Sequence, residues 1–276
     1  VTARITLCGS LSLHPVGLGA AMHTAAYRAL GLPWVYVPFR VTDLEGALRG
    51  ARALGIRGLG VSMPFKLHVI PLLDALEPLA ARIGAVNTIV HDDGVLTGHN
   101  TDAAGAVAAL REALPELEGR RVLVLGAGGA ARAIVHGLRD AGADVELTNR
   151  TEERAVELAA LTGARHVPWL RAIRDLEHDA LVNATSVGMR EVDPGCPLPP
   201  SSLREGLVVM DIVYKPLETA LVRAARERGC AVVRGERMLL HQAARQFALY
   251  VGCEAPLAAM EEALFASVAP PPSEGS

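Results

Sequence analysis

Residues 121–154 run RVLVLGAGGAARAIVHGLRDAGADVELTNRTEER. Arg121 to Leu125 is a short, mostly apolar run of the kind a doubly wound sheet buries on both faces. It leads straight into Gly126-Ala127-Gly128-Gly129-Ala130-Ala131. Strand, then G-x-G-x-x-A, then helix is the order of a dinucleotide cradle. Gly126 permits the tight turn, Gly128 lets the backbone approach a pyrophosphate, and small Ala131 lets the helix lie close on the strand. The stretch Gly126, Ala127, Gly128, Gly129, Ala130 is therefore the candidate phosphate site, where a helix start offers unpaired N–H groups and partial positive charge. Beyond it, Ala131, Val135 and Leu138 follow at i, i+4, i+7 as the face that covers the sheet, and Gly142 closes the helix. A glycine turn between strand and helix also occurs with no ligand. The complete βαβ context favours the cradle.

The end of the second strand carries the cofactor preference. An NAD site usually places Asp or Glu there for the ribose hydroxyls, whereas this chain offers Asn149, Arg150, Thr151 and then Arg154. Guanidinium groups suit a 2′-phosphate and a carboxylate would repel it, so NADP is expected over NAD. As an alternative, Arg150 and Arg154 are ordinary solvated residues at a helix start.

Working outward, the 276 residues suffice for two domains with cores of their own, and 50% hydrophobic residues with 4% aromatic suit Ala/Leu/Val-rich α/β packing. A formal net charge of −3 with no basic block argues against nucleic acid or an anionic membrane as partner. No run approaches the ~18 apolar residues of a membrane span, and VTARITLCGS lacks a signal-peptide layout, so the chain reads as cytoplasmic. Cys8, Cys196, Cys230 and Cys253 form no C-x-x-C pair, and the histidines form no H-E-x-x-H pattern. No metal site is expected, so hydride-transfer chemistry here would need side-chain acid/base groups.

The expected fold class is α/β: an N-terminal α/β substrate-binding lobe, a Rossmann-type doubly wound NADP-binding domain, and C-terminal helices returning to the first lobe. The expected boundaries are 1–101, 102–237 and 238–268, with a proline-rich, disordered tail at 269–276. Strands are expected at 5–9, 34–38, 58–63, 86–90 and 95–97 in the first lobe, with helices near 19–30, 43–54 and 102–113. Further on come a helix at 152–162, strands near 180–184 and 207–213, a helix at 217–228 and a strand at 231–234. Two long helices, 236–251 and 256–267, end the pattern. Substrate sites in such chains favour polar residues at the carboxyl ends of strands.

Three polar clusters answer to that description: Ser62-Met63-Pro64-Phe65-Lys66, Gly84-Ala85-Val86-Asn87-Thr88 and Gly98-His99-Asn100-Thr101-Asp102. With the glycine turn and Asn149-Arg150-Thr151, they form an ordered set of five motifs that resembles the shikimate dehydrogenase family from about residue 5 to 266. Asn183-Ala184-Thr185-Ser186, Asp211-Ile212-Val213-Tyr214 and Gln242 have counterparts there too. The resemblance implies reversible, NADP-linked oxidation of the shikimate 3-hydroxyl, with Lys66 and Asp102 as the catalytic dyad. A Lys–Asp pair is able to accept or relay the alcohol proton as hydride leaves, without a metal. Taken singly, Lys66 reads as a solvated lysine and Asp102 as a helix-start carboxylate. The resemblance further implies Ser62, Asn87, Asp102, Tyr214 and Gln242 around substrate hydroxyls, and Thr185, Ile212, Gly235 and Met238 on the cofactor, with Glu77 near it. Met238 and Gln242 stand at i, i+4 on one helix face, though Met238 alone reads as core.

One segment departs from the family pattern. The usual H-S-x-S-P loop, whose serine hydroxyls hold the substrate carboxylate, becomes Gly9-Ser10-Leu11-Ser12-Leu13-His14-Pro15-Val16-Gly17-Leu18-Gly19, two residues longer before the helix. Counting back from Met22-His23, the two serine positions fall on Gly17 and Gly19, and Gly60 replaces an Asn that often precedes the V-T segment. Ser10 and Ser12 share one side of an extended segment and are candidates to substitute, or they end the first strand and bond locally. The departures resemble the divergent shikimate dehydrogenase-like branch, and His99 resembles quinate/shikimate dehydrogenases. Quinate or a related cyclic polyol acid is therefore the alternative substrate, and a catalytically quiet NADP sensor the alternative of another class. A monomer or homodimer is expected.

Overall fold

The computed structural model describes residues 5–174 and 176–268; the tail expected at 269–276 lies outside them. The chain divides into two compact units, one made of the residues up to Thr101 and from Ala243 onwards, the other of Asp102–Gln242.

The first unit runs β1 (Thr6–Ser12), α1 (Leu18–Ala29), β2 (Trp34–Arg40), α2 (Leu44–Leu54), β3 (Gly58–Val61), α3 (Phe65–His68), β4 (Ala75–Leu76), α4 (Pro78–Ile83), β5 (Thr88–Asp92) and β6 (Val95–His99). Its six-stranded sheet has the order β2-β1-β3-β5-β6-β4, parallel at β2/β1/β3 and antiparallel on both sides of β5. Local chemistry sets the helix limits. The Asp43 carboxylate accepts from Gly46 N at 2.9 Å to start α2, and Gly55 at φ 64° ends it. Glu77 accepts from Leu79 N and Ala80 N to start α4, ahead of Pro78.

Strand β1 continues to Ser12, three residues past the expected end, because it pairs with β2 up to Ser12 opposite Arg40. Alternation then splits its side chains. Leu11 joins a core with Val41, Leu48, Leu59, Val61, Ile89 and Leu96. Cys8, Ser10 and Ser12 face the other way, the side on which His23, Tyr27, Tyr36, Phe247 and Tyr250 gather. That aromatic layer lies directly on the sheet, since a Cβ at Gly58 would fall inside the Tyr250 ring.

The second unit starts with α5 (Asp102–Arg111) and β7 (Arg121–Leu125), followed by α6 (Gly129–Asp140), β8 (Asp144–Thr148), α7 (Glu152–Thr162), β9 (Arg165–His166), α8 (Trp169–Arg174), β10 (Ala180–Asn183), β11 (Val208–Asp211), α9 (Ala220–Glu227) and β12 (Ala231–Arg234). Its sheet is wholly parallel in the order β12-β11-β10-β7-β8-β9, a doubly wound arrangement whose strand order switches between β7 and β10. Val122 to Leu125 are 0% exposed, with Val122 and Val124 in one core and Leu123 and Leu125 in the other. Ala131, Val135 and Leu138 of α6 bury as the periodicity predicts, and Gly142 follows the helix at φ 83°. α9 begins after Thr219, later than the expected 217, because the Thr219 hydroxyl accepts from Val222 N. Two helices close the chain: α10 (Gly235–Val251), which crosses the limit between the units, and α11 (Leu257–Val268), which packs on α1.

Candidate active site

In the first unit, backbone hydrogen bonds tie together the chain ends that carry the polar clusters. Ser62 N donates to Leu11 O at 3.0 Å, Val61 N to Asn87 O at 2.7 Å, and Val86 N to Lys66 O at 2.9 Å. Ser62, Lys66 and Asn87 are thereby held at neighbouring positions beside the end of β1, with Ser62 exposed and Lys66 half-buried. Asn87 is 2% exposed and its amide is set by a small network. Its Oδ1 accepts from Thr101 N at 2.7 Å and from Thr88 Oγ1 at 2.8 Å, while its Nδ2 donates to Thr101 Oγ1 at 2.9 Å. The Gln246 amide donates to Asn87 O at 3.1 Å and Thr88 Oγ1 at 3.0 Å. Asn100 donates to Ala85 O at 3.0 Å, which pins the G-H-N-T-D segment to the G-A-V-N-T segment. Burial holds the His99 imidazole below its ordinary range. Glu77 spends its carboxylate on the α4 start.

Ser10 and Ser12 lie on one face of β1, as their spacing predicts. Ser10 is partly exposed, whereas Ser12 is buried and its Oγ has no hydrogen-bond partner among the described residues. An enclosed, unpaired hydroxyl costs about 1 to 3 kcal/mol.

In the second unit, Asp102 is the first residue of α5 and is buried. One turn later Gly105 lets α10 approach: an added Cβ would stand 2.8 Å from both the backbone N and the Cβ of Gln242. Gln242 is thus positioned at the start of α5. At the far end of α5, Glu112 accepts from Arg237 through Nε at 2.7 Å and Nη2 at 2.6 Å, and its carboxylate lies 2.6 Å from His241 Nε2. Burial pushes the Glu112 carboxyl up, but its bonds to Arg237 and His241 hold it below the usual range. This clamp fixes the rotation of α10, and with it Met238 and Gln242.

The glycine turn adopts the expected conformation. Gly126 has φ 115° and donates to Thr148 O at 2.8 Å; an added Cβ would lie 2.9 Å from Ala184 O and 3.2 Å from the Thr185 methyl. Gly128 precedes α6 in an extended conformation, and Gly129 opens the helix. A Cβ at either position would meet nothing within 4 Å. The first-turn N–H groups of α6, from Gly129 on, have no partner within the helix, the arrangement that suits an anion at a helix start. At the end of β8, Asn149 Nδ2 donates to Thr151 O at 2.8 Å, and Arg150, Thr151 and Arg154 are exposed.

Across the switch point, a buried carboxylate organises the next two strand ends. Asp211 Oδ1 accepts from Asn183 Nδ2 at 2.9 Å and Val213 N at 3.1 Å, and Oδ2 accepts from Thr219 Oγ1 at 2.6 Å. Burial pushes the Asp211 carboxyl up even so. Asn183 Oδ1 in turn accepts from Thr185 N at 3.1 Å and Thr185 Oγ1 at 2.7 Å. Gly235 sits against this ledge, where an added Cβ would stand 2.5 Å from Ile212 O. Met238 is buried in the core that Ile212 packs against. Gly126, Thr185, Ile212, Gly235 and Met238 thus gather along the carboxyl ends of the central strands, with Tyr214 half-buried just beyond β11.

The sequence reading missed Thr101, Gln246 and Glu112 as supports. Gln246 was within reach, at i+4 from Gln242; Thr101 and Glu112 act through partners that only the fold brings near.

Comparison with known proteins covers most of the chain. A model of the shikimate dehydrogenase substrate binding domain matches residues 15–89, one of shikimate/quinate 5-dehydrogenase matches 108–188, and one of the shikimate 5′-dehydrogenase C-terminal domain matches 235–265. The shikimate dehydrogenase (NADP(+)) of Moorella thermoacetica is 47% identical over 95% of this chain and 92% of its own. A shikimate dehydrogenase solved in complex with NADP+ has a TM-score of 0.91 at 34% identity, covering 98% of both chains. The enzyme of Thermus thermophilus, solved with NADP(H) and shikimate, has a TM-score of 0.86 at 40% identity, covering 95% of this chain and 99% of its own.

Proposed function

The chain belongs to the shikimate dehydrogenase family, and from that premise we propose that it catalyses the reversible, NADP-dependent oxidation of the 3-hydroxyl of shikimate. The observation that carries the reading is the match along 95% of the chain to a relative named for this reaction and this cofactor.

The residues present fit the cofactor. The open space before Gly128 and Gly129, with the first N–H groups of α6 behind it, suits a pyrophosphate; exposed Arg150 and Arg154 suit a 2′-phosphate; Thr185, Ile212, Gly235 and Met238 line the ledge for the ring. NADP, when bound, takes up or returns the hydride. The remaining chemistry belongs to side chains. Lys66 accepts the proton of the reacting hydroxyl, and Asp102 holds and relays it. Ser62, Asn87, Tyr214 and Gln242 orient the ring hydroxyls, and Ser10 and Ser12 face the rest of the substrate. Asn87 suits that task because its amide is already fixed by Thr88 and Thr101, so little ordering remains when substrate arrives.

A second reading, quinate or a related cyclic polyol acid, rests on His99 in the G-H-N-T-D segment, which resembles quinate/shikimate dehydrogenases, and on Gly17 and Gly19, which stand where the family's serines hold the carboxylate. We place the protein in the cytoplasm as a monomer or homodimer; among the described residues no helix is long and apolar enough to cross a membrane.

The test follows reduced cofactor by absorbance, with NADP+ or NAD+ against shikimate or quinate. NADP+-dependent oxidation of shikimate is expected. Turnover of quinate alone would move the substrate assignment, and NADP+ binding with no turnover of either would overturn the reading.

A further inference from the structure

On one face of the second unit's sheet an apolar layer gives way to charge. Leu123, Leu181 and Val209 share a core with Ala172 of α8 and Leu221 of α9. Glu146 stands in register beside Leu123, and Arg165 beside Glu146. Here β7, β8 and β9 border, together with α8, a cavity of about 570 Å³, within the size range of small-molecule sites. Its lining includes neither the glycine turn nor Asn149, Arg150 and Thr151. Arg121 on its wall opens β7, whereas Gly126 follows the other end of that strand.

The charges around the cavity are unequally committed. The Glu146 carboxylate accepts from Arg165 and lies 3.0 Å from His178 Nε2, and Arg165 also meets Asp144 at 3.6 Å. Burial pushes the Glu146 carboxyl up, but its bonds to His178 and Arg165 hold it below the usual range; burial keeps the His178 imidazole below its own. Glu146 is thus a charged carboxylate already matched by one guanidinium and one neutral ring. Two guanidiniums remain. Arg121 has Glu177 at 3.7 Å, a side chain 78% exposed, and such surface pairs are worth little. The exposed Arg171 side chain has no hydrogen bond or ion pair among the described residues. One belongs to the sheet and the other to α8, so both elements bordering the cavity contribute a guanidinium. Two weakly matched positive charges suit a dianion, and the planar fork of each fits phosphate oxygens in pairs. The volume exceeds that of a lone phosphate ion and leaves room for the organic body of an ester.

We propose that this cavity is a second ligand site, in which Arg121 and Arg171 bind the phosphate group of a small phosphomonoester. It is independent of the dehydrogenase reaction and uses none of the residues assigned to substrate or cofactor.

The experiment titrates the full chain, at constant ionic strength, with glycerol 3-phosphate, inorganic phosphate and chloride, and follows amide chemical shifts in nitrogen-15 spectra. The ester should saturate, with the largest shifts along the cavity, and bind more tightly than inorganic phosphate; chloride should not saturate. Arg171→Ala should raise the ester Kd about ten- to a hundred-fold, the range for loss of a hydrogen bond to a charged group. Arg171→Lys should recover part of the loss, since the charge returns without the fork. Arg121→Ala should act in the same direction as Arg171→Ala, and thermal melts establish that the variants fold. Arg49→Ala, which removes an exposed guanidinium from α2, should leave the Kd unchanged. NADP+ affinity should stay within about twofold in every variant. Unsaturable shifts, or a Kd indifferent to both arginines, overturn the site. Inorganic phosphate binding as tightly as the ester overturns the ester as its occupant. Displacement of the ester by NADP+, with NADP+ affinity falling in Arg171→Ala, would make the cavity part of the cofactor site and overturn it as a second one. The titration reads binding alone, so its outcome is separate from whether shikimate is oxidised.

Discussion

The chain contains two strand–turn–helix junctions built from similar materials and put to different uses. In β7–α6 the proposed phosphate site would be made of backbone: Gly126 takes a left-handed conformation, and a Cβ at Gly128 or Gly129 would meet nothing within 4 Å. In β1–α1 the glycines at 17 and 19 put no side chain in the turn, and the nearest hydroxyls before it stand on β1 at Ser10 and Ser12. A backbone site is fixed by conformation and tolerates little change of sequence. A side-chain site moves from one element to another provided the atoms end up in the same place.

The two junctions should therefore fail in different ways. The largest expected effect lies in the side-chain chemistry outside both junctions: Lys66→Ala should lower kcat about 10²- to 10⁴-fold with NADP+ affinity unchanged, measured by turnover and fluorescence titration. Equal loss of cofactor affinity would erase the distinction.

Next comes the titratable group within the first unit's aromatic layer. Burial lowers the His23 pKa to about 4 from an ordinary 6.5, so the unfolded chain binds the extra proton first as pH falls. Stability should be complete above about pH 6.5 and decline as pH drops toward 4, by about 3 kcal/mol in denaturant melts. In His23→Phe that component of the slope should vanish; an unchanged slope would place the titration elsewhere.

The cofactor side of the chain should respond more narrowly. Arg150→Ala should weaken NADP+ binding about ten- to a hundred-fold and leave NAD+ binding as it was, since only the 2′-phosphate contact is lost. A parallel loss for both cofactors would refute the phosphate role. Smallest of all, Gly128→Ala keeps the backbone N–H but puts a methyl into the space where the pyrophosphate would approach, and should weaken NADP+ binding roughly tenfold with the melting temperature unmoved. Its extended backbone and empty surroundings accept a methyl. A lowered melting temperature would show that this glycine serves the fold rather than the phosphates.

The same contrast explains what the sequence disclosed. The β7–α6 strand, turn and helix were readable because glycine spacing and helical periodicity encode local conformation directly. The short elements α3, β4, α4, β9 and α8 escaped notice, since two to six residues carry no measurable period. Partnerships distant in sequence escaped as well: Glu112 with Arg237 and His241, and Asp211 with Asn183 and Thr219, each need a completed sheet or helix pair. The extra length of β1 belongs to this group, because pairing with β2, rather than any signal of its own, carries it through Ser12.

Gly235 sets a boundary for anyone who would re-engineer the ledge where we propose the nicotinamide lies. With the Ile212 carbonyl 2.5 Å from where a Cβ would sit, a randomised library at this codon returns one residue, and the diversity spent there is wasted. Neighbouring Met238, a flexible side chain in a shared core, is the position to randomise instead.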